Sequence, residues 1–263
     1  MTGPNTTNAT RGRDGDNDPQ LAHHFDTPRR QYDSARLGMW IFLVTEILFF
    51  GGLFCAYGVF RANNPAIFFD GHLFLDKPLG AFNTVVLILS SLTMALAVRA
   101  AQTGRRRSLV ACLVATIVCA LIFMGVKGVE YKQKWDHRMV PGQDRIAHWV
   151  SGEKGPEPRK QFRPDESYVR ARLAAEGFEN LDQEEYDRRA ARLGTFMGVY
   201  FSLTALHALH VLAGIAAIFW IFIGSIRGRF GRQYFTPVDL VGLYWHLVDM
   251  IWIYLFPLLY LIH

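Results

Sequence analysis

Six acidic or histidine side chains stand inside long apolar runs or at their ends. They are Glu46, Glu130, His207, His210, His246 and Asp249. A charged group at the centre of a bilayer costs roughly 2.5–3.5 kcal/mol on insertion scales, so such residues usually face protein or water and serve a function. Glu46 is the strongest of these signals because it lies near the middle of its run. The alternative is a protonated or hydrogen-bonded acid that only holds helices together.

The histidines permit two kinds of chemistry. His207 and His210 are three residues apart, so they share a helical face and could bind one metal ion or heme. Two histidines on one turn cannot flank a heme from opposite sides, and no thiolate is nearby in sequence. We therefore favour interhelical hydrogen bonds for this pair. His246 and Asp249 have the same spacing and form either a proton relay or a satisfied polar pair.

Five apolar runs must position these residues. Each is close to the roughly 20 residues that a membrane-spanning helix requires. They predict an all-α membrane bundle with spans at 37–60 and at about 79–101, 108–129, 194–223 and 238–262. In the first span, Gly51 and Gly52 leave room for a neighbouring helix. The last span contains Pro257, which predicts a kink.

The polar segments divide the chain further. We interpret 1–36 as a flexible cytoplasmic tail, 37–130 as the first three spans, 131–193 as an extracytoplasmic insertion and 194–263 as the last two spans. Residues 61–78 read as a short loop. The insertion carries 13 Lys and Arg against 12 Asp and Glu, and 165–192 predicts one or two solvent-exposed helices. Thr236 is expected to cap the last span, with Pro237 at its first position.

Basic residues set the expected orientation. The tail has five arginines, and the turns at 102–107 and 225–236 have three each, whereas 61–78 has only Arg61 and Lys77. The positive-inside rule then places the N-terminus in the cytoplasm and the C-terminus and insertion outside. Because the basic residues cluster at the ends of apolar runs, the net charge of +5 does not indicate a nucleic-acid partner. Arginines that could bind lipid head groups are Arg105, Arg106, Arg107, Arg227, Arg229 and Arg232.

Motifs in all five spans carry a family resemblance. The first span has Arg36, Gly38, Met39, Phe42, Glu46, Phe49, Phe50, Gly52, Phe54, Ala56 and Tyr57. Further motifs are Asn83-Thr84 with Val86-Leu87 and Ser90, Glu130-Tyr131, the two-histidine stretch 206–214, and the stretch 244–252 around His246. In this order they resemble subunit III of heme-copper terminal oxidases, in its five-helix form. Two helices that precede these in many members have no counterpart here.

The resemblance implies a subunit without heme or copper, which are held by partner subunits, and a direct contact with the catalytic subunit I. It implies bound phospholipid and support of sustained turnover, and it matches Glu46 to the family's carbodiimide-reactive acid. The insertion is longer than the family's usual connection, and we interpret it as an outer-face module for a cytochrome or a second respiratory complex. Its near-neutral charge argues against a simple electrostatic patch.

Several functions remain open from the sequence. The leading interpretation is subunit III of a cytochrome c oxidase, and the runner-up is subunit III of a quinol oxidase. A related nitric oxide reductase system is weaker. A freestanding proton or cation transporter would use Glu46, His246 and Asp249 as its relay, but the first and last spans show no internal repeat. A diheme membrane cytochrome would show heme absorbance in the isolated chain.

Overall fold

The computed structural model describes residues 25–143, 162–178 and 181–261. Within these ranges it contains seven helices and one isolated β-bridge between Gly231 and Tyr234. The helices are α1 Pro28–Asn63, α2 Pro65–His72, α3 Lys77–Gln102, α4 Arg106–Asp136, α5 Glu166–Ala175, α6 Gln183–Ile226 and α7 Thr236–Tyr260. Five of them, α1, α3, α4, α6 and α7, are long and apolar enough to cross a membrane. The predicted all-α architecture with five spans is confirmed.

Two of the spanning helices begin earlier than their apolar runs. Helix α1 starts at Pro28 because Thr27 accepts a hydrogen bond from the Arg30 amide and proline suits the first turn. Residues 28–36 are therefore helical and not part of a flexible tail, while 1–24 lie outside the described residues. Helix α6 starts at Gln183, where Asp182 accepts a hydrogen bond of 2.7 Å from the Glu185 amide.

The start of α7 differs by one residue from the expectation. Phe235 is the cap and Thr236 is already helical, so Thr236 does not cap the helix. Asp239 instead accepts a hydrogen bond of 2.8 Å from the Tyr32 hydroxyl on α1. This contact ties the beginning of α1 to the beginning of α7.

Helices α3, α4, α6 and α7 form the packed centre of the bundle. Helix α3 packs on α4 and α7, and α6 packs on α7, α4 and α2. Helix α1 contacts α7 and α2 and leaves most of its apolar surface exposed. A Cβ atom added at Gly51 or Gly52 would meet no atom within 4 Å. The neighbouring helix that these glycines predicted is not supplied by the described part of this chain.

Hydroxyl groups on α3 bind the centre together. Ser90 accepts a hydrogen bond of 2.9 Å from the Trp245 indole, and Thr84 accepts one of 3.1 Å from the Trp252 indole. Both tryptophans lie on α7 and are fully buried, so their N–H groups need partners inside the bundle. The polar residues of α3 therefore fix the register between α3 and α7.

One end of the bundle carries a compact extramembrane layer. The Asp70 carboxylate on α2 is only 3% exposed and pairs with Arg189 at 2.6 Å and Arg192 at 3.2 Å, both on α6. Val169 and Leu173 of α5 are each 1% exposed, so one face of α5 is buried, whereas the sequence predicted a solvent-exposed helix there. Residues 61–78 likewise contain α2 and are not a simple loop.

Side-chain caps and burial shape the ionisation of this layer. Asp165 caps α5, and the hydrogen bond of 2.7 Å from the Ser167 hydroxyl lowers the pKa of its carboxyl. Burial lowers the pKa of His72, whose Nδ1 lies 2.7 Å from the Phe69 carbonyl oxygen. Near pH 7 the Asp165 carboxyl is therefore ionised and the His72 ring is neutral.

The opposite end carries both basic turns. Arg106 donates a hydrogen bond of 3.1 Å to the Ser225 carbonyl and another to the Ile226 carbonyl, which joins the start of α4 to the end of α6. The turns at 102–107 and 225–236 therefore lie at one end, as the alternation of five spans requires.

Candidate functional site

Glu46 and His210 form a polar pair between α1 and α6. The Glu46 Oε2 atom lies 3.1 Å from His210 Nε2, and each side chain is 19% exposed. His210 Nδ1 lies 2.8 Å from the Leu206 carbonyl oxygen. A carbonyl only accepts hydrogen bonds, so Nδ1 must carry a proton and Nε2 is left to face the acid.

This geometry allows two neutral arrangements of the pair. Either Glu46 is protonated and donates to the Nε2 lone pair, or an imidazolium donates to a carboxylate. A carboxylate facing an unprotonated Nε2 would place two lone pairs against each other. In both allowed arrangements one proton lies between Glu46 and His210, and the net charge of the pair is zero. Such a pair lowers the cost of an acid at this depth.

Aromatic rings enclose the pair. Phe50 meets the His210 ring edge-on with centroids 5.0 Å apart, and Phe49 lies 6.4 Å from it. Tyr244 on α7 donates a hydrogen bond of 3.1 Å to the His210 carbonyl. Phe49 and Phe50 thus shield the polar contact from one side.

His207 and His210 engage different helices. His207 is 1% exposed and packs its ring against Phe123 of α4 and Trp252 of α7, at centroid distances of 5.8 and 5.4 Å. Neither His207 ring nitrogen has a hydrogen-bond partner among the described residues. The expectation of interhelical hydrogen bonds therefore holds for His210 but not for His207.

His246 and Asp249 do not form the pair that their spacing allowed. His246 Nδ1 lies 2.7 Å from the Ser91 hydroxyl on α3. Asp249 is 2% exposed, and neither of its carboxyl oxygens has a hydrogen-bond partner in the described ranges. The two residues lie on one helix but face different surroundings, so they do not make a direct relay.

Glu130 is the centre of a buried ionic cluster between α4, α6 and α7. Its carboxylate lies 2.7 Å from Lys127 Nζ and 2.9 Å from Lys134 Nζ. It also accepts hydrogen bonds of 2.8 Å from both the Tyr200 and Tyr260 hydroxyls. All five residues are at most 5% exposed.

The cluster contains more positive than negative charge. Lys127 also donates to the Tyr260 hydroxyl at 2.7 Å and lies 4.6 Å above the Trp252 ring. Two ammonium groups therefore share the Glu130 carboxylate, and the electron-rich aromatic rings provide the remaining stabilisation. The arrangement joins three spanning helices near the end that bears α2 and α5.

The sequence interpretation missed the partners of Glu130. It gave no role to Lys127, Lys134, Tyr200 or Tyr260. The spacing of Lys127, Glu130 and Lys134 at three and four residues was a usable signal, because it places them on one helical face. The tyrosines are 70 and 130 residues away in sequence from Glu130, and no local pattern indicates their contact.

The acids and histidines of the described ranges do not converge on a metal-binding group of three or more. The basic arginines differ from one another in their contacts. Arg106 is engaged by the Ser225 and Ile226 carbonyls and so has a structural role. Arg105, Arg107, Arg227, Arg229 and Arg232 are exposed at the same end of the bundle.

Comparison with known proteins gives a consistent result. Residues 22–135 and 172–263 match the family described as "Cytochrome c oxidase subunit III". The chain is 26% identical to a heme-copper oxidase subunit I+III of Aeropyrum pernix over 93% of its length, and it spans 24% of that longer protein.

Two separate subunits are similar over most of both chains. Cytochrome c oxidase subunit 3 of Corynebacterium diphtheriae is 27% identical over 86% of this chain and 87% of the relative. Cytochrome bo(3) ubiquinol oxidase subunit 3 of Pseudomonas aeruginosa is 22% identical over 92% and 91%. The family match covers both helices of the Glu46–His210 pair and all three helices of the Glu130 cluster. With its five apolar helices, the chain is a multi-pass membrane protein of the cytochrome c oxidase subunit III family.

Proposed function

We propose that this chain is the non-catalytic subunit III of a proton-pumping cytochrome c oxidase, and that it contacts subunit I within the membrane. The family match and the Corynebacterium relative support the cytochrome c version. The Pseudomonas relative supports the alternative, a quinol oxidase subunit III. The site residues of this chain suit either donor, because electron entry belongs to other subunits in the family that it resembles.

The observation that carries the proposal is the Glu46–His210 pair. It joins α1 to α6 through a polar contact in which Glu46 and His210 lie 3.1 Å apart. A contact of this kind does not require a redox centre in the same chain. We propose that it supports the durability of turnover in subunit I and does not carry pumped protons itself.

Purification of the complex tests the assignment. With an affinity tag on this chain, we expect a large heme-bearing chain and a donor-binding subunit to co-purify with it. The complex should show heme absorbance, and the separated chain should show none. Oxidation of reduced cytochrome c by the complex supports the leading version, and oxidation of ubiquinol supports the alternative. Purification of the chain alone, or heme absorbance in the separated chain, would contradict both.

Glu46→Gln tests the role of the pair. The amide can donate a hydrogen bond to His210 Nε2, so the helix contact is kept while the ionised state is lost. We expect normal assembly and heme content, with a change in turnover or in its decay of less than about fivefold, or about 1 kcal/mol. Turnover is measured as oxygen consumption over many cycles. Abolished oxygen reduction at normal heme content would show that Glu46 is an obligatory proton carrier.

The insertion has a separate proposed role. We propose that 131–193 is an outer-face module that docks a cytochrome or a second respiratory complex. The family match leaves out residues 136–171, so the middle of this module lies outside the part of the chain that the family shares. Because Arg189, Val169 and Leu173 pack on the bundle, the test deletion should spare α5 and α6 and remove residues 145–160. We expect normal turnover and loss of a co-purifying respiratory partner; unchanged subunit content would contradict the role.

A further inference from the structure

Helix α5 is held against the end of α4 by contacts that meet at one histidine. His137 is the C-cap residue of α4, and its backbone carbonyl accepts a hydrogen bond of 3.0 Å from the Asp165 amide. The His137 ring stacks on the Tyr168 ring, with the centroids 3.8 Å apart and 11° between the planes. His137 Nδ1 lies 3.7 Å from Asp165 Oδ2. A titratable side chain therefore lies at the junction between the bundle and the extramembrane layer.

Three features of this junction favour the imidazolium form of His137 over the neutral ring. The Asp165 carboxylate, at 3.7 Å, is too far for a good hydrogen bond but close enough to attract a positive charge. A cation stacked on the electron-rich face of Tyr168 is attracted by that ring. The end of a helix carries a partial negative charge, which also stabilises a cation at the C-cap. Protonation of His137 therefore strengthens the contact between α4 and α5.

The neighbouring charged groups do not oppose a positive charge on His137. His72 of α2 is neutral near pH 7, because burial lowers its pKa. Lys132, Asp136 and Arg138 near the end of α4 are exposed, so solvent and salt screen their charges. Further charged side chains of these elements form pairs with each other: Glu166 with Arg170 at 2.8 Å, Lys134 with Glu130 at 2.9 Å and Arg172 with Asp76 at 3.7 Å.

Asp165 has a second role that keeps it ionised. Its carboxylate caps α5 by accepting hydrogen bonds from the Ser167 amide at 3.1 Å and from the Ser167 hydroxyl at 2.7 Å. These bonds lower the pKa of the Asp165 carboxyl, so it carries its charge throughout the range in which histidine titrates. The added attraction is therefore fully present when His137 is protonated and is lost as the pH rises and His137 becomes neutral. It is also lost in strong acid, when Asp165 itself is protonated.

We propose that His137, Asp165 and Tyr168 form a pH-sensitive latch, which fixes α5 and the insertion to the bundle more firmly as the pH falls. All three residues lie within 136–171, the part of the chain that the family match leaves out. The contact itself is independent of the function proposed above. Its use as a response to protons released on the outer face rests on that proposed function.

Hydrogen exchange in the purified complex at about pH 5.5 and about pH 8.0 tests the latch, because histidine changes its charge between these values. Exchange is measured for peptides from 166–178 and expressed as protection factors, which corrects for the direct effect of pH on amide exchange. Residues 183–195 of α6 serve as the reference segment. Relative to this reference, we expect α5 to be protected about fivefold more strongly at the lower pH. Equal protection at the two pH values would overturn the proposal.

Two substitutions at His137 separate its charge from its packing. His137→Gln cannot gain a proton, so we expect the weaker protection of the higher pH at both pH values. His137→Arg keeps a planar cation that can stack on Tyr168 and pair with Asp165, so we expect the stronger protection of the lower pH at both values.

Asp136→Asn is the matched control, because it removes the exposed carboxylate next to His137 without touching the latch. It should retain the pH dependence of the parent. Retained pH dependence in either His137 variant, or its loss in Asp136→Asn, would show that His137 is not the group that responds. A complex that oxidises neither cytochrome c nor ubiquinol would contradict the proposed function but would leave these exchange ratios unchanged.

Discussion

Replacement of Glu130 by Gln should destabilise the protein by about 3–5 kcal/mol, since it leaves buried ammonium groups without their counter-charge. Lys127 and Lys134 are 5% and 4% exposed, and Glu130 is the carboxylate that both contact. The amide of Gln is nearly the same size, so the loss measures charge and not packing. Thermal unfolding of the purified complex and the amount of assembled complex in membranes are the measurements.

Two further variants give this experiment its control. Lys127→Met/Glu130→Leu/Lys134→Met removes the whole ionic set, and we expect it to recover most of the lost stability because no buried charge remains. The Tyr200 and Tyr260 hydroxyls, 3.4 Å apart, can then bond to each other. Glu130→Gln with parental stability, or a triple variant less stable than Glu130→Gln, would show that the charges are not what joins the three helices.

Gly71→Ala should cost about 2–3 kcal/mol, and more if the backbone cannot move. A Cβ atom at this position would lie 2.7 Å from Phe196 Cβ and closer still to its ring. Phe196 is fully buried and meets Phe68 edge-on at 5.8 Å, so it has no free volume to enter. Helix α2 is also held in place by the Asp70 ion pairs with α6.

Gly58→Ala on the adjacent helix is the matched control. A Cβ atom there would meet nothing within 4 Å, so the higher helix propensity of alanine should leave stability unchanged or slightly increased. We expect a lower Tm and faster proteolysis of the extramembrane layer for Gly71→Ala alone. Similar behaviour of the two variants would mean that α2 does not pack as tightly on α6 as the structure shows.

The number and type of the helices could be predicted from the sequence because a bilayer imposes length and composition on every span. The residues at which the helices begin and end could not be predicted in this way. Helix α6 begins at Gln183, 11 residues before its apolar run. These residues are helical because Asp182 caps them and because they pack on α2. Helix α1 likewise begins before its apolar run, at Pro28, because Thr27 caps it.

The candidate site divides in a similar way. Glu46 was identifiable from its cost in a membrane, and His210 from its type and place. Their pairing was not, because the two residues are 164 positions apart and only the packing of α1 beside α6 brings them within 3.1 Å. The same spacing of three residues led to no pair at all for His246 and Asp249, since His246 contacts Ser91 on α3 and Asp249 has no hydrogen-bond partner among the described residues.

The sequence by itself determined a five-span helical membrane protein, the family that it resembles, and which ionisable groups needed partners. The tertiary structure decided who those partners are: His210 for Glu46, and two lysines and two tyrosines for Glu130. The physical reason is that the cost of burying a charge is a property of one residue, whereas the group that offsets this cost is chosen by which helix faces pack together. The local sequence therefore indicates which residues need a partner, but it carries almost no information about which residue that partner is.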